Sequence, residues 1–160
     1  MSFSKTYAMT GFRVGYTYGP RELISSLALT HQFSVACVDG LAQHAALAAL
    51  VGPQDFVDEM VSEFDRRRRL LCARLNEIEG FKCGLPKGAF YAFANVKALG
   101  VSSEKFAEHL LASGGVVTIP GVAFGKHGEG YLRFSYATAY DKIGEALDRI
   151  EVVMKEFRRL

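Results

Sequence analysis

The hydrophobic positions fall into runs whose spacing separates helices from strands. Phe56, Met60, Phe64, Leu71, Leu75 and Ile78 recur at helical intervals before Gly80, which predicts one long amphipathic helix bridging two domains. Ile143, Leu147, Ile150, Val153 and Phe157 predict a second such helix near the C-terminus. Pro20 can start a helix over Arg21 to Leu29, and the Ala- and Leu-rich run from Val38 to Leu50 predicts another, with small faces suited to burial. Apolar residues alternate from Phe81 to Val96 around Gly84-Leu85-Pro86-Lys87-Gly88, the pattern of two short strands, of which Ala89 to Val96 is the stronger. Ser102 or Ser103 caps a helix carrying Phe106, Leu110 and Leu111, and Gly114-Gly115 ends it before the β-like run Val116 to Ile119. A Gly-punctuated loop then leads to a strand over Tyr131 to Tyr136.

Gly52-Pro53 is the best internal boundary, giving a segment of residues 1–52 and an α+β unit of residues 53–160. The 160 residues suit one compact unit, or one small domain with a piece of another, and 49% hydrophobic content suffices for a core. Nineteen Lys and Arg against seventeen Asp and Glu leave a net charge of +2, which exerts no broad pull on nucleic acid or anionic lipid. The most apolar stretch, Leu41 to Val51, is interrupted by Gln43 and His44 and is too short to cross a bilayer, so no membrane partner is expected. Cys37, Cys72 and Cys83 contain no C-x-x-C pair, which fits a reducing compartment, a cytoplasmic location and a packing role. His31, His44, His109 and His127 lack metal-ligand spacing with one another, and no metal is expected. Arg66 to Arg69 fan around a helical turn and cannot form one stripe for nucleic acid.

The densest chemistry lies in Ser2-Phe3-Ser4-Lys5-Thr6-Tyr7-Ala8-Met9-Thr10-Gly11-Phe12-Arg13-Val14-Gly15-Tyr16. A lysine buried among apolar and cationic groups loses its proton more readily and can form an imine with an aldehyde, and Lys5 is the candidate. Arg13 offers a planar fork of donors for a phosphate, Ser2 and Ser4 add hydroxyls, and the glycines permit close backbone approach. Pyridoxal 5'-phosphate requires both functions.

From Ser2 to Tyr16 the chain resembles the fold-type-I aminotransferases (the aspartate aminotransferase-like class I/II), matching the motif S-x-S-K-x-x-x-M-T-G-x-R-x-G-Y without a gap. The resemblance continues through Pro86-Lys87-Gly88-Ala89-Phe90-Tyr91, Ile119-Pro120-Gly121-Val122-Ala123-Phe124-Gly125 and Gly130-Tyr131-Leu132-Arg133-Phe134-Ser135-Tyr136-Ala137. It implies that Lys5 is the catalytic, cofactor-linked lysine, that Ser2 and Arg13 hold the cofactor phosphate, and that Arg133 receives the α-carboxylate of a small amino acid or 2-oxo acid substrate. Ser4 carries over from the resemblance more weakly. Leu132 and Phe134 flank Arg133 on the expected strand, so its side chain points away from both.

The same resemblance implies an α/β and α+β architecture: the C-terminal small domain (53–160) preceded by a remnant of the large cofactor-binding domain (1–52). Family members are much longer, and the pyridine-nitrogen Asp, the ring-stacking aromatic residue and the Asn and Tyr partners have no recognisable replacement here. Without the Asp the cofactor ring is a poorer electron sink, so the 160-residue chain is expected to be a truncated, nearly inactive portion of a homodimeric parent enzyme. Apolar surfaces of residues 1–52 are expected to lack partners. The alternative reading is a noncatalytic folded module that self-associates. The spacing Ser2-x-x-Lys5 also fits penicillin-recognising acyltransferases, but S-D-N and K-T-G are missing.

Overall fold

The computed structural model describes residues 1–157 of the chain. They pack as two compact units, Met1–Met60 and the described residues from Val61 onward, so the division falls inside a helix, beyond the boundary expected at Gly52-Pro53.

In the first unit a short helix, α1 (Phe3–Thr6), is followed by a single 3-10 turn, Thr10–Phe12, and by helices α2 (Arg21–Val35) and α3 (Gly40–Val51). The chain entering α1 doubles back on itself through an antiparallel bridge between Ser2 and Gly15. The Tyr16 N–H donates to the Met1 carbonyl at 2.9 Å, and a Cβ on Gly15 would press against that same oxygen. Phe3, Met9, Val14, Ala42 and Ala46 form the small core of this unit. The small face expected on α3 is thus the buried one. Asp39 caps α3 by accepting from the Ala42 N–H at 2.9 Å, and the helix stops before Gly52.

Helix α2 continues past Leu29 to Val35, and within it Ser26, Thr30 and Ser34 donate their hydroxyls to the carbonyls of Glu22, Ser26 and Thr30 one turn back. Those bonds satisfy polar groups within the helix itself. None of its residues is buried. Leu23, Leu27, Leu29 and Phe33 are exposed on α2, as are Leu41, Leu47 and Leu50 on α3.

Helix α4 (Asp55–Glu77) begins in the first unit and supplies the second with Leu71, Cys72 and Leu75. Strands β1 (Tyr91–Asn95), β2 (Ile119–Pro120) and β3 (Tyr131–Ser135) form an antiparallel sheet in the order β1-β3-β2. Ala92, Ala94, Leu132 and Phe134 face inward, where they join Leu71 and Leu75 of α4, Phe106 and Leu110 of α5 (Ser103–Gly114), and Ile143, Leu147 and Ile150 of α6 (Tyr140–Phe157). This sheet face and the apolar stripes of three helices form the main core.

The strand expected over the first half of 81–96 is reduced to an isolated bridge, Lys82 with Asn95. Gly84, Pro86 and Gly88 break up this segment, and it pairs instead through Asn76, whose side-chain amide bonds both the N–H and the carbonyl of Cys83 at 2.7 and 2.9 Å. Ser102 is the cap of α5, while Ser103 is fully buried and bonded to Glu129: Oε1 accepts from its N–H at 2.7 Å and Oε2 from its hydroxyl at 2.9 Å. Ala89 takes a left-handed φ of 60° just before β1, and its carbonyl accepts from the Tyr136 hydroxyl at 2.9 Å.

Among the described residues no helix is long and apolar enough to cross a membrane. Glu63 pairs with Arg66 and Arg67, and Asp65 with Arg68 and Arg69, so the arginine run is tied into local ion pairs along α4. Cys72 and Cys83 are buried, whereas Cys37 is exposed and takes no part in packing.

Candidate functional site

The Ser2–Tyr16 motif folds into a tight hairpin-like unit. Ser2 is the cap of α1, its hydroxyl oxygen accepting from the Ser4 N–H at 3.2 Å. The chain then reverses through the 3-10 turn, with Ala8 before it and Arg13 after it both held at positive φ, 54° and 50°. Left-handed backbone at two residues that carry a Cβ costs on the order of 1 kcal/mol each. Arg13 is braced there by its own side chain, since Nη1 donates to the Thr10 carbonyl at 3.1 Å.

The same Nη1 donates to the Ser4 hydroxyl oxygen at 3.4 Å. The turn therefore brings Arg13 to Ser4, while the Ser2 hydroxyl is engaged at the helix cap. Ser4, the weaker of the two serines in the motif resemblance, is thus the one that the turn sets against Arg13. Lys5 follows on α1 and is exposed, so residues of this chain do not provide the burial that the sequence reading invoked for its amine. Phe3 and Met9, on either side of Lys5 in the chain, are buried and anchor the motif from beneath.

In the second unit Arg133 lies on β3 directly opposite Phe93 of β1. Its neighbours Leu132 and Phe134 are buried on the other face, as the alternation required. Two rings flank the guanidinium: its carbon is 4.4 Å from the Tyr91 centroid and 4.7 Å from the Phe124 centroid. Phe93 stacks on Tyr131 at 5.0 Å and meets Phe124 edge-on at 6.1 Å, which extends the aromatic layer around the arginine. A guanidinium held between rings keeps its planar donors free to pair with a carboxylate. Tyr91 and Phe124 were quoted as parts of motifs without a role; an aromatic residue in each of the two segments preceding the arginine motif was the available signal.

Phe124 reaches this position from a loop closed by two glycines. A Cβ on Gly121 would overlap the Gly128 carbonyl oxygen, and one on Gly128 would overlap that of Gly121. The two backbones meet without room for any side chain.

Residues 1–150 match the family model for aminotransferase class I and II. The chain is 44% identical over 156 residues to an aspartate aminotransferase of Pyrococcus horikoshii, covering 96% of this chain and 40% of that protein. It is 45% identical over 156 residues to aromatic-amino-acid aminotransferase 2 of Thermococcus litoralis, with the same coverage. The crystal structure of an aromatic aminotransferase from Pyrococcus horikoshii superimposes with a TM-score of 0.92 at 44% identity, over 99% of this chain and 43% of that one. The chain thus spans about 40% of the length of the relatives it matches. Its mixed helix and small-sheet architecture is that of part of a fold-type-I aminotransferase, and pyridoxal 5'-phosphate is the cofactor that this family implies. On the match across residues 1–150 and the shared fold, the chain belongs to the class I and II aminotransferases.

Proposed function

We propose that this chain carries the cofactor lysine, the phosphate-binding arginine and the substrate-carboxylate arginine of an enzyme that transfers an amino group between an amino acid and a 2-oxo acid. The observation that carries the reading is the contact of Arg13 with Ser4 in the turn that also presents Lys5. A guanidinium and hydroxyls suit a dianionic phosphate, and a primary amine suits an aldehyde, so the donor set fits pyridoxal 5'-phosphate.

In this reading Arg13 and Ser2 hold the cofactor phosphate, with the Ser4 hydroxyl, already within reach of Arg13, available as a further donor. Lys5 Nζ would hold the cofactor's aldehyde end, and the same amine, when free, would move the proton at the substrate's Cα. The cofactor, when bound, supplies an electron-withdrawing ring that stabilises charge at that carbon. Arg133 orients the substrate by pairing with its α-carboxylate, steadied by Tyr91 and Phe124. Because the chain spans about 40% of its relatives, we infer that turnover requires the remainder that they carry, and that the 160 residues alone are nearly inactive. A cytoplasmic homodimer accompanies this reading of the whole protein.

Incubation with pyridoxal 5'-phosphate, reduction with borohydride and peptide mapping tests it. A single adduct on Lys5, absent from Lys5→Ala, is the expected result; label spread evenly over surface lysines sinks it.

A second reading has an observation of its own. Leu23, Leu27, Phe33, Leu41 and Leu47 are exposed on α2 and α3, which suits a noncatalytic module that pairs with a second copy through these helices. Absence of any Lys5 adduct together with a concentration-dependent increase in mass on size exclusion favours this module.

A further inference from the structure

The residues given roles above leave two buried thiols unused. Cys72 lies on α4, Cys83 on the segment between α4 and β1, and their sulfurs are 3.6 Å apart. Both are free, and they are only 3% and 6% exposed. We propose that Cys72 and Cys83 are a modification site: a dithiol that hydrogen peroxide closes to an intramolecular disulfide.

Geometry carries the inference. A disulfide needs its sulfurs at about 2.05 Å, so each has to come in by less than about 1 Å, within reach of small side-chain rotations. The backbone around Cys83 is already fixed at that distance by the Asn76 amide, which holds both its N–H and its carbonyl, and by the bridge between Lys82 and Asn95. The pairing is therefore made by the fold and involves no search by a loose loop.

The two thiols are not equivalent. Cys83 donates its S–H to the Cys72 sulfur, and Arg68 sits one helical turn before Cys72. Arg68 bonds the Pro86 carbonyl and Asp65, but its Nε is buried without a hydrogen-bond partner. The bond from Cys83, helped by the Arg68 charge, holds the Cys72 thiol below its ordinary range. Its role as donor and its burial push the Cys83 thiol up. Cys72 is thus the attacking sulfur and Cys83 the resolving one.

The Cys72 thiolate attacks one oxygen of hydrogen peroxide, the O–O bond breaks, and the departing hydroxide takes up a proton to leave as water. The sulfenic acid now on Cys72 is attacked by the Cys83 sulfur; the S–S bond forms, the S–O bond breaks, and the leaving hydroxide takes the Cys83 proton as a second water. Two thiols lose two electrons and one peroxide becomes two waters. Hydrogen peroxide is close to water in size and suits so enclosed a pair.

The test treats the full chain with equimolar hydrogen peroxide, blocks remaining thiols with iodoacetamide in denaturant, and maps tryptic peptides. The expected product joins the peptides 70–74 and 83–87 and is lighter by two hydrogens, while Cys37 is recovered alkylated. In urea the three cysteines are expected to oxidise without this preference. Cys83→Ser should leave a sulfenic acid on Cys72 that dimedone traps, and Cys72→Ser should leave Cys83 unlabelled. The proposal is overturned if native Cys72 and Cys83 stay alkylatable while Cys37 oxidises, or if the unfolded chain forms the same link equally well.

Discussion

The guanidinium carbon of Arg133 lies 4.4 Å from the centroid of the Tyr91 ring, two residues along β1 from its direct partner Phe93. A cation over an aromatic face at a partly exposed site contributes about 0.5–1 kcal/mol. A double-mutant cycle of Tyr91→Ala with Arg133→Met, read by urea denaturation, is expected to return a coupling energy in that range. Tyr91→Phe keeps the face and should keep the coupling. A coupling of zero would mean that the ring does not hold the arginine.

The contact of Arg13 with Ser4 makes a graded prediction for cofactor labelling. A hydrogen bond from a charged group contributes about 1.5–3 kcal/mol, so Arg13→Ala should raise the pyridoxal phosphate concentration needed for half-maximal borohydride trapping on Lys5 by roughly tenfold to a hundredfold. Ser4→Ala, which removes only a neutral hydroxyl, should shift it by less. Equal shifts for the two variants would contradict the assignment of Arg13 to the phosphate.

Leucines in the two units should respond oppositely to truncation. Leu147 is 1% exposed in the main core, and Leu147→Ala should destabilise the second unit by about 2–5 kcal/mol. Leu23 on α2 is 54% exposed, so Leu23→Ala should change stability by no more than about 0.5 kcal/mol. Urea midpoints of the two variants measure the contrast.

Acid should weaken the fold through carboxylates held below their usual range. Hydrogen bonds from Arg66 and then Arg67 bring Glu63 from 4.5 down to about 2. Its folded value lies below its unfolded one, so its contribution is whole above about pH 4.5 and is lost as pH falls toward about 2. The Ser103 N–H and then its hydroxyl lower Glu129 in the same direction, so that group too loses its contribution with acid. Glu129→Gln should therefore lower the urea midpoint at about pH 7 and flatten its fall between about pH 7 and pH 3. An unchanged slope would remove Glu129 from the acid response.

Gly121 and Gly128 should tolerate no side chain. Either alanine variant forces apart two backbones that meet at each other's carbonyls, and should displace the loop that carries Phe124 to Arg133. Loss of hydrogen-exchange protection at the amides of positions 125 and 128, which donate to the Val122 and Gly125 carbonyls, checks this, with Gly125→Ala, which meets open space but has a φ of 107°, as a strain-only comparison.

Much of the fold was legible because periodicity is a local property. The apolar positions of α4 and α6 repeat at helical spacing: Asp55–Glu77 takes in all of the first pattern except Ile78, and Tyr140–Phe157 takes in all of the second. The alternation around Arg133 likewise fixed which way its side chain points. The extension of α2 to Val35 was not legible, since Thr30, His31, Gln32 and Ser34 interrupt the hydropathy pattern, and hydroxyls that bond the helix's own carbonyls leave no mark on it. Nor was the shrinkage of the strand before Gly84 to one bridge, because the Asn76 side chain takes the Cys83 backbone groups that a longer strand would have paired.

By itself the sequence determined the amphipathic helices α4 to α6, the strand around Arg133, and the residue types of the candidate chemistry, all of which depend on neighbours along the chain. Only the tertiary structure decided that Arg13 meets Ser4 and that the Ser2 hydroxyl oxygen accepts at a helix cap. The same holds for Lys5, which is exposed in this chain, and for the two rings beside Arg133. It also decided that two cysteines, eleven positions apart and unremarkable by spacing, have sulfurs 3.6 Å apart. Each of these depends on a backbone reversal that sets side chains at a given distance. Such distances arise from the packing of whole elements, on which the order of residues within any one of them is silent.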